Sequence, residues 1–375
     1  MSTPLNQAEI ERKVESLLSR MSLDQKIGQM TQGERAFVTP EDVRKYHLGS
    51  VLSGGGSCPG ENLPADWVAM NDAYWAASME EDDDHLAIPL LYGVDAIHGN
   101  ANLRGATVFP HNIGLGATGD PDLLARIARV TAREVLATGV EWTFAPTLAV
   151  ARDVRWGRTY ESYSEDPDLV GAYAGRFVAG LQADLGADGV VACAKHWVGD
   201  GGTAAGIDQG DAQLSGDELR RLHVAPYRQA IASGVLTVMA SLSSWNGDKC
   251  HGHRLLLTDL LKGELGFRGF IVSDWDATDQ LDDDYATAIE LAVNAGIDMF
   301  MVPEKWKVFI GHLKGHVRRG AVPMERIDDA IRRILAVKFA YGLFDRPRPA
   351  ERPWSNDRGF GSKAHRDVAR EAVRK

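Results

Sequence analysis

Short apolar runs alternate along the chain with segments whose apolar residues recur every three or four positions. The runs lie at Ile27–Met30, Ser50–Ser53, Pro89–Val94, Trp142–Pro146, Val190–His196, Leu236–Ser241, Phe270–Asp274 and Ile297–Val302. Phe270-Ile-Val-Ser273 typifies them: too short for an independent helix and β-branched, it reads as a buried parallel strand. Helical periodicity occupies Asp122–Thr138, Pro167–Leu185, Asp217–Ser233, Tyr285–Ala295 and Met324–Leu343. Three of these helices open on capping signals, at Asp120-Pro121, Asp166-Pro167 and Ser215–Glu218. Eight strands alternating with helices predict an α/β protein of the (β/α)8 barrel type, with a doubly wound open sheet as the alternative. No repeat of solenoid type is present.

The pattern changes after Gly342-Leu-Phe-Asp345. Arg346-Pro-Arg-Pro-Ala-Glu-Arg-Pro353 reads as an extended linker, because proline locks the backbone and lacks the donor that continues a helix. From His365 to Lys375 a helical face of Ala364, Val368, Ala372 and Val373 resumes. The expectation is a barrel over residues 1–345, then a linker and the start of a helix over 346–375, with a second domain missing.

Composition narrows the class. At 375 residues the chain exceeds the roughly 250 of a plain barrel and suffices for one large domain. No uncharged stretch approaches the roughly 20 residues of a membrane span. A net charge of −11 argues against nucleic acid and anionic membranes as partners and fits a neutral substrate. The three cysteines, Cys58, Cys193 and Cys250, are too scattered for a disulfide framework or a metal cluster, and no cofactor or metal is expected. Met1-Ser-Thr-Pro-Leu-Asn6 has no basic and apolar leader, so it does not read as a secretion signal.

Charged groups gather where the predicted strands end. Asp95 and His98 follow Leu90–Val94, Lys195 and His196 end Val190–Ala194, and Arg152, Arg155 and Arg158 follow Phe144–Pro146. Asp274 and Trp275 follow the seventh strand. In a barrel these ends converge on one mouth, where such folds keep their chemistry. Asp274 is therefore a candidate nucleophile, although a lone Asp there could equally cap a helix or form a salt bridge. Acids and bases around an indole suit a sugar, since they exchange hydrogen bonds with its hydroxyls while the aromatic face stacks on its C–H groups.

Four motifs make the reading specific: Gly93-Val-Asp-Ala-Ile-His-Gly-Asn100, Arg152–Asp166, Lys195-His-Trp-Val-Gly-Asp-Gly-Gly-Thr203 and Ser273-Asp-Trp275. Together they resemble family 3 glycoside hydrolases, above all the β-glucosidases and exo-β-glucan glucohydrolases, from about Ile10 to Phe344. The resemblance implies retaining, exo-acting hydrolysis of a β-glucoside or β-glucan oligosaccharide through a covalent glycosyl-aspartate on Asp274. It implies that Asp95, Arg158, Lys195 and His196 hold the ring hydroxyls and that Trp275 flanks the leaving-group subsite. A periplasmic or secreted location is implied as well.

The pattern also departs from the family. Two-domain members take the acid/base, usually a Glu, from a second domain, which here would have to act in trans. Single-domain members place a His shortly after the Lys-His motif, where this chain has Gly210. Asp208, Asp211 and Glu161 are available carboxyls that no motif recommends, so impaired hydrolysis is expected, with a binding scaffold of little turnover as the alternative. Leu242 stands where an aromatic is usual. Gluco versus xylo preference stays open. Gly114–Gly119 satisfies GxGxxG but lacks the strand–helix–strand setting of a dinucleotide site. His251-Gly-His253 reads as a surface loop, His98 and His111 as structural, and Glu80–Asp84 as a solvated turn with a calcium site as the weaker alternative.

Overall fold

The computed structural model describes residues 6–183, 185, 188–355 and 357–375. Residues 1–5 of the leader reading and residue 184 of the second predicted helix lie outside them. The strands are β1 (Thr31–Glu34), β2 (Ser50–Ser53), β3 (Leu91–Val94), β4 (Trp142–Thr143), β5 (Val191–Trp197), β6 (Thr237–Ala240), β7 (Phe270–Val272) and β8 (Phe300–Met301). They pair in parallel in the order β7-β6-β5-β4-β3-β2-β1-β8. A bridge between Val272 and Met299 joins the two ends, with the Ser273 N–H donating to the Met299 carbonyl at 2.9 Å. The result is a (β/α)8 barrel. An open doubly wound sheet is excluded, because its edge strands would share no such bond.

Helix starts follow local chemistry. Asp120 accepts from the Leu123 N–H ahead of Pro121–Leu136, and Asp166 from the Asp168 N–H ahead of Pro167–Leu181. Ser215 and Glu218 form the reciprocal capping box. Inside the barrel, the Trp142 ring meets Phe144 and Phe270 edge-on, with centroids 4.9 and 5.3 Å apart. Gly93 makes room for this layer, since a Cβ there would lie 2.5 Å from the Phe144 ring.

The first strand is a correction. Ile27–Met30 is not a strand: a Ser22/Gln25 capping box starts the helix Leu23–Gln29, which buries Ile27. The strand itself, Thr-Gln-Gly-Glu, is polar yet fully enclosed, so hydropathy does not reveal it. Among the described residues no helix is long and apolar enough to cross a membrane.

After the helix Met324–Ala340, the Pro/Arg segment runs along the outside of the barrel. Arg348 grips Asp72, and Arg352 grips the buried Glu141 and donates to the Gly139 carbonyl at 3.0 Å. The helix Lys363–Arg374 then lies against Pro121–Leu136 through Arg126–Glu371 and His365–Glu134 contacts. In the acidic turn, Glu80 and Asp82 pair with Arg44 and Glu81 pairs with Arg20.

Candidate active site

The carboxyl ends of the strands bring five of the sequence-predicted residues together, as an Asp95–Lys195 pair next to an Arg158–His196 pair that faces Asp274. The ladder between β5 and β6 passes from Ala194↔Val238 to Trp197↔Ala240, so β5 carries one extra residue there. Strand side chains normally alternate faces, and an extra residue re-aims them. Here it lets the consecutive Lys195 and His196 both serve the mouth. Lys195 is 4% exposed and its Nζ donates to Asp95 Oδ1, at the end of β3, at 2.6 Å. His196 makes contact through both ring nitrogens. Nδ1 meets Asp200 Oδ2 at 2.9 Å, and Nε2 lies 3.2 Å from Arg158 Nη2. An arginine only donates, so Nε2 accepts and Nδ1 carries the proton toward Asp200.

Arg158 is fixed by Glu161 through two parallel bonds of 2.8 and 2.9 Å. Burial alone would raise the Glu161 carboxyl, but the bonds and charge of Arg158, with Lys195 and His196 beyond it, hold it at about 2. Glu161 is thus an ionised anchor. For Arg158, burial is outweighed by Glu161, Asp200 and Asp274, which keep the guanidinium charged.

Asp274 follows β7 with its side chain 14% exposed. Its Oδ1 accepts from the Trp275 N–H at 2.7 Å. Its Oδ2 has no hydrogen-bond partner among the described residues; His196 Nε2 stands 3.7 Å away. Trp275 is 41% exposed and its ring lies over Gly54, after β2, where a Cβ would fall 2.7 Å from the indole.

Other candidates do not join. Arg155 folds back on Asp153, and Arg152 reaches the Glu165 carbonyl at 2.8 Å. Asp208 accepts from Trp156 Nε1 and Asp211 from the Gly247 N–H. His98 and His111 pack edge-on with nitrogens 3.0 Å apart, and burial, with His111 alongside, pushes His98 down to about 4. Leu242 is half-buried, and its carbonyl accepts from Lys249 Nζ at 2.9 Å. Of the GxGxxG glycines, Gly114 and Gly116 belong to the short helix Asn112–Ala117, and Gly119 follows its C-terminal end. His251 overturns its reading as a surface residue. It is 2% exposed and its Nε2 accepts the Asp274 backbone N–H at 2.9 Å. It lies 23 residues before Asp274, with no spacing that points to it.

Comparison with known proteins agrees with this geometry. The family model described as glycosyl hydrolase family 3 N terminal domain matches residues 22–337. The exo-1,3/1,4-β-glucanase of a Pseudoalteromonas species is 47% identical in sequence and superposes with a TM-score of 0.94, covering 100% of this chain and 48% of its own. A β-glucosidase of Listeria innocua, solved with laminaribiose, is 29% identical with a TM-score of 0.83, covering 98% of this chain and 51% of its own. The periplasmic β-glucosidase of Salmonella typhimurium is 32% identical over 99% of this chain and 48% of its own length. The chain thus spans about half the length of the relatives it matches.

Proposed function

The chain belongs to glycosyl hydrolase family 3, and from that membership we propose that the barrel mouth binds the terminal glucosyl unit of a β-glucoside and attacks it with Asp274. One observation carries the reading. Of the four carboxylates gathered around Lys195, Arg158 and His196, Asp95, Glu161 and Asp200 are each bonded to one of these three side chains within 2.9 Å, whereas Asp274 is bonded to none of them and its Oδ2 stands 3.7 Å from His196 Nε2. A retaining glycosidase needs such an oxygen to bond the anomeric carbon as the aglycone leaves, before water releases the sugar. Asp95, Arg158, Lys195 and His196 hold the ring hydroxyls, and contacts that tighten as the ring flattens lower the barrier. Trp275 offers its exposed face to the aglycone side. The substrate class, a β-glucoside or β-glucan oligosaccharide, and a periplasmic or secreted setting rest on what the relatives are named for.

The proton donor is proposed to lie outside the described residues, on a further domain acting in cis or in trans. Glu161 is held ionised, and Asp208 and Asp211 are bonded elsewhere. The same observation favours a second reading, a barrel that binds a glucosyl unit and turns over almost nothing. Incubation with 2,4-dinitrophenyl 2-deoxy-2-fluoro-β-glucoside separates the two, because this leaving group departs unprotonated. Intact mass and peptide mapping should show a fluoroglucosyl adduct on Asp274, lost in Asp274→Asn. A folded protein without adduct supports the scaffold instead.

A further inference from the structure

The ladder between β6 and β7 pairs Phe270, Ile271 and Val272 with Thr237, Val238 and Met239. Continued for two more residues, that register sets Asp274 opposite Ser241. The expected backbone bond is not made there. The ladder ends at Val272 and Met239, and the Asp274 N–H turns instead to the imidazole of His251. Its Nε2 accepts the Asp274 N–H at 2.9 Å, and its other nitrogen donates to the Ser241 carbonyl. The Ser241 N–H in turn donates to the Trp197 carbonyl on β5 at 2.6 Å. One chain of bonds therefore runs from β5, which carries Lys195 and His196, through β6 and the imidazole to the backbone of Asp274.

We propose that His251 is a positioning residue, inserted between β6 and β7 to fix the Asp274 backbone against the sugar-binding end of β5. The proposal rests on the reading of Asp274 as nucleophile. Only a neutral imidazole can accept on one side and donate on the other. Burial supplies that state, outweighing the nearby Asp274 charge and pushing His251 down to about 4. The other charged groups facing it are Lys249 and His196, and both act in the same downward direction. Held this way, the Asp274 carboxylate has its remaining freedom in side-chain torsions, one of them restrained by the bond from Oδ1 to the Trp275 N–H.

The test compares His251→Gln with His251→Phe. A glutamine can accept from Asp274 and donate to Ser241 as the imidazole does, whereas phenylalanine fills the space and does neither. Inactivation by the fluoroglucoside is followed by intact mass over a range of inhibitor concentrations. Amide hydrogen exchange at Asp274 is measured in parallel. For His251→Phe the expected result is a maximal inactivation rate reduced about 10²-fold, the scale of an ångström-sized misplacement of a reacting group. The half-saturating concentration should stay within about twofold, and the Asp274 amide should lose its protection. His251→Gln should restore both rate and protection to within about threefold. Labelling of His251→Phe at the wild-type rate, or unchanged amide protection, overturns the proposal while leaving Asp274 as nucleophile. Failure of the wild-type chain to label at Asp274 overturns the underlying reading instead, and the proposal with it. If His251→Phe does not fold, His251→Gln decides alone. Wild-type-like rate and protection support the hydrogen-bonding role, and loss of both in a folded protein refutes it.

Discussion

Glu161→Gln probes the electrostatics of the mouth most directly. Wild-type Glu161 is 6% exposed, and its carboxyl is moved from an ordinary 4.5 to about 2, against burial and in favour of Arg158. At about 1.4 kcal/mol for each tenfold change in proton affinity, that displacement corresponds to about 3 kcal/mol of folding stability. The folded value lies below the unfolded one. The contribution is therefore complete above pH 4.5 and is lost as pH falls toward 2. Linkage gives a loss of about 1 kcal/mol by pH 4 and about 2 kcal/mol by pH 3. Glutamine keeps one acceptor for Arg158 but no charge, so its stability lacks this dependence. Urea unfolding of both proteins at pH 7, 5, 4 and 3, followed by tryptophan fluorescence, should show a gap of about 3 kcal/mol that narrows to about 1 kcal/mol at pH 3. A gap that stays constant with pH would mean that the charge of Glu161 contributes nothing and that Arg158 is held by other means.

Two further outcomes follow from packing and burial. Gly54→Ala places a methyl where the Trp275 ring now lies; because the indole is partly exposed it can swing aside, so stability should change by less than about 1 kcal/mol. Binding of an aryl β-glucoside should weaken, and a red shift in tryptophan emission would report the displacement. The Asp95–Lys195 pair should be asymmetric, because the lysine side chain is 5% exposed and the aspartate 38%. Asp95→Ala strands a buried ammonium and should cost about 3–5 kcal/mol in urea unfolding, whereas Lys195→Met leaves a carboxylate that water can reach, at a cost of about 1 kcal/mol. Equal costs would contradict the burial on which the difference rests.

Most of this architecture is written locally. Strand β2 coincides with its hydrophobic run residue for residue, and the Asp-Pro and Ser-x-x-Glu signals cap the helices where they stand. Local coding also explains the failures. β1 is polar because its residues pair inside a closed mouth, where Gln32 Nε2 finds Ser50 Oγ at 2.8 Å, so no apolar run marks it. Of three arginines in one motif, Arg158 reaches the pocket and Arg155 does not, because Asp153 captures it from two residues away. Placing acids and bases at strand ends was enough to assemble Asp95, Lys195, His196 and Asp274. The groups that aim them, Asp200 and His251, come from the short turns Asp200–Gly202 after β5 and Cys250–Gly252 between β6 and β7, and neither leaves a periodic trace.

The proton inventory of the mouth leads to a last expectation. With Glu161 held at about 2, the carboxyl that grips Arg158 cannot donate a proton to a departing alcohol. General acid help is worth roughly 10²–10⁴-fold and matters most for poor leaving groups. The first step on aryl β-glucosides should therefore depend steeply on the acidity of the leaving phenol. Dinitrophenyl glucoside should react readily, while an unsubstituted phenyl glucoside should lag by the roughly 10²–10⁴-fold that general acid help would have supplied. Pre-steady-state release of phenol across such a series gives the slope. A flat series would show a working donor within the chain, and Asp276 would then be the residue to replace. Burial, with the charge of Asp279 nearby, raises its carboxyl, so it alone beside the nucleophile is biased toward holding a proton. Its charged neighbours are Asp279, Lys305 and Glu304, outside the sugar-binding group, and on that geometry Asp276→Asn should leave the steep series unchanged.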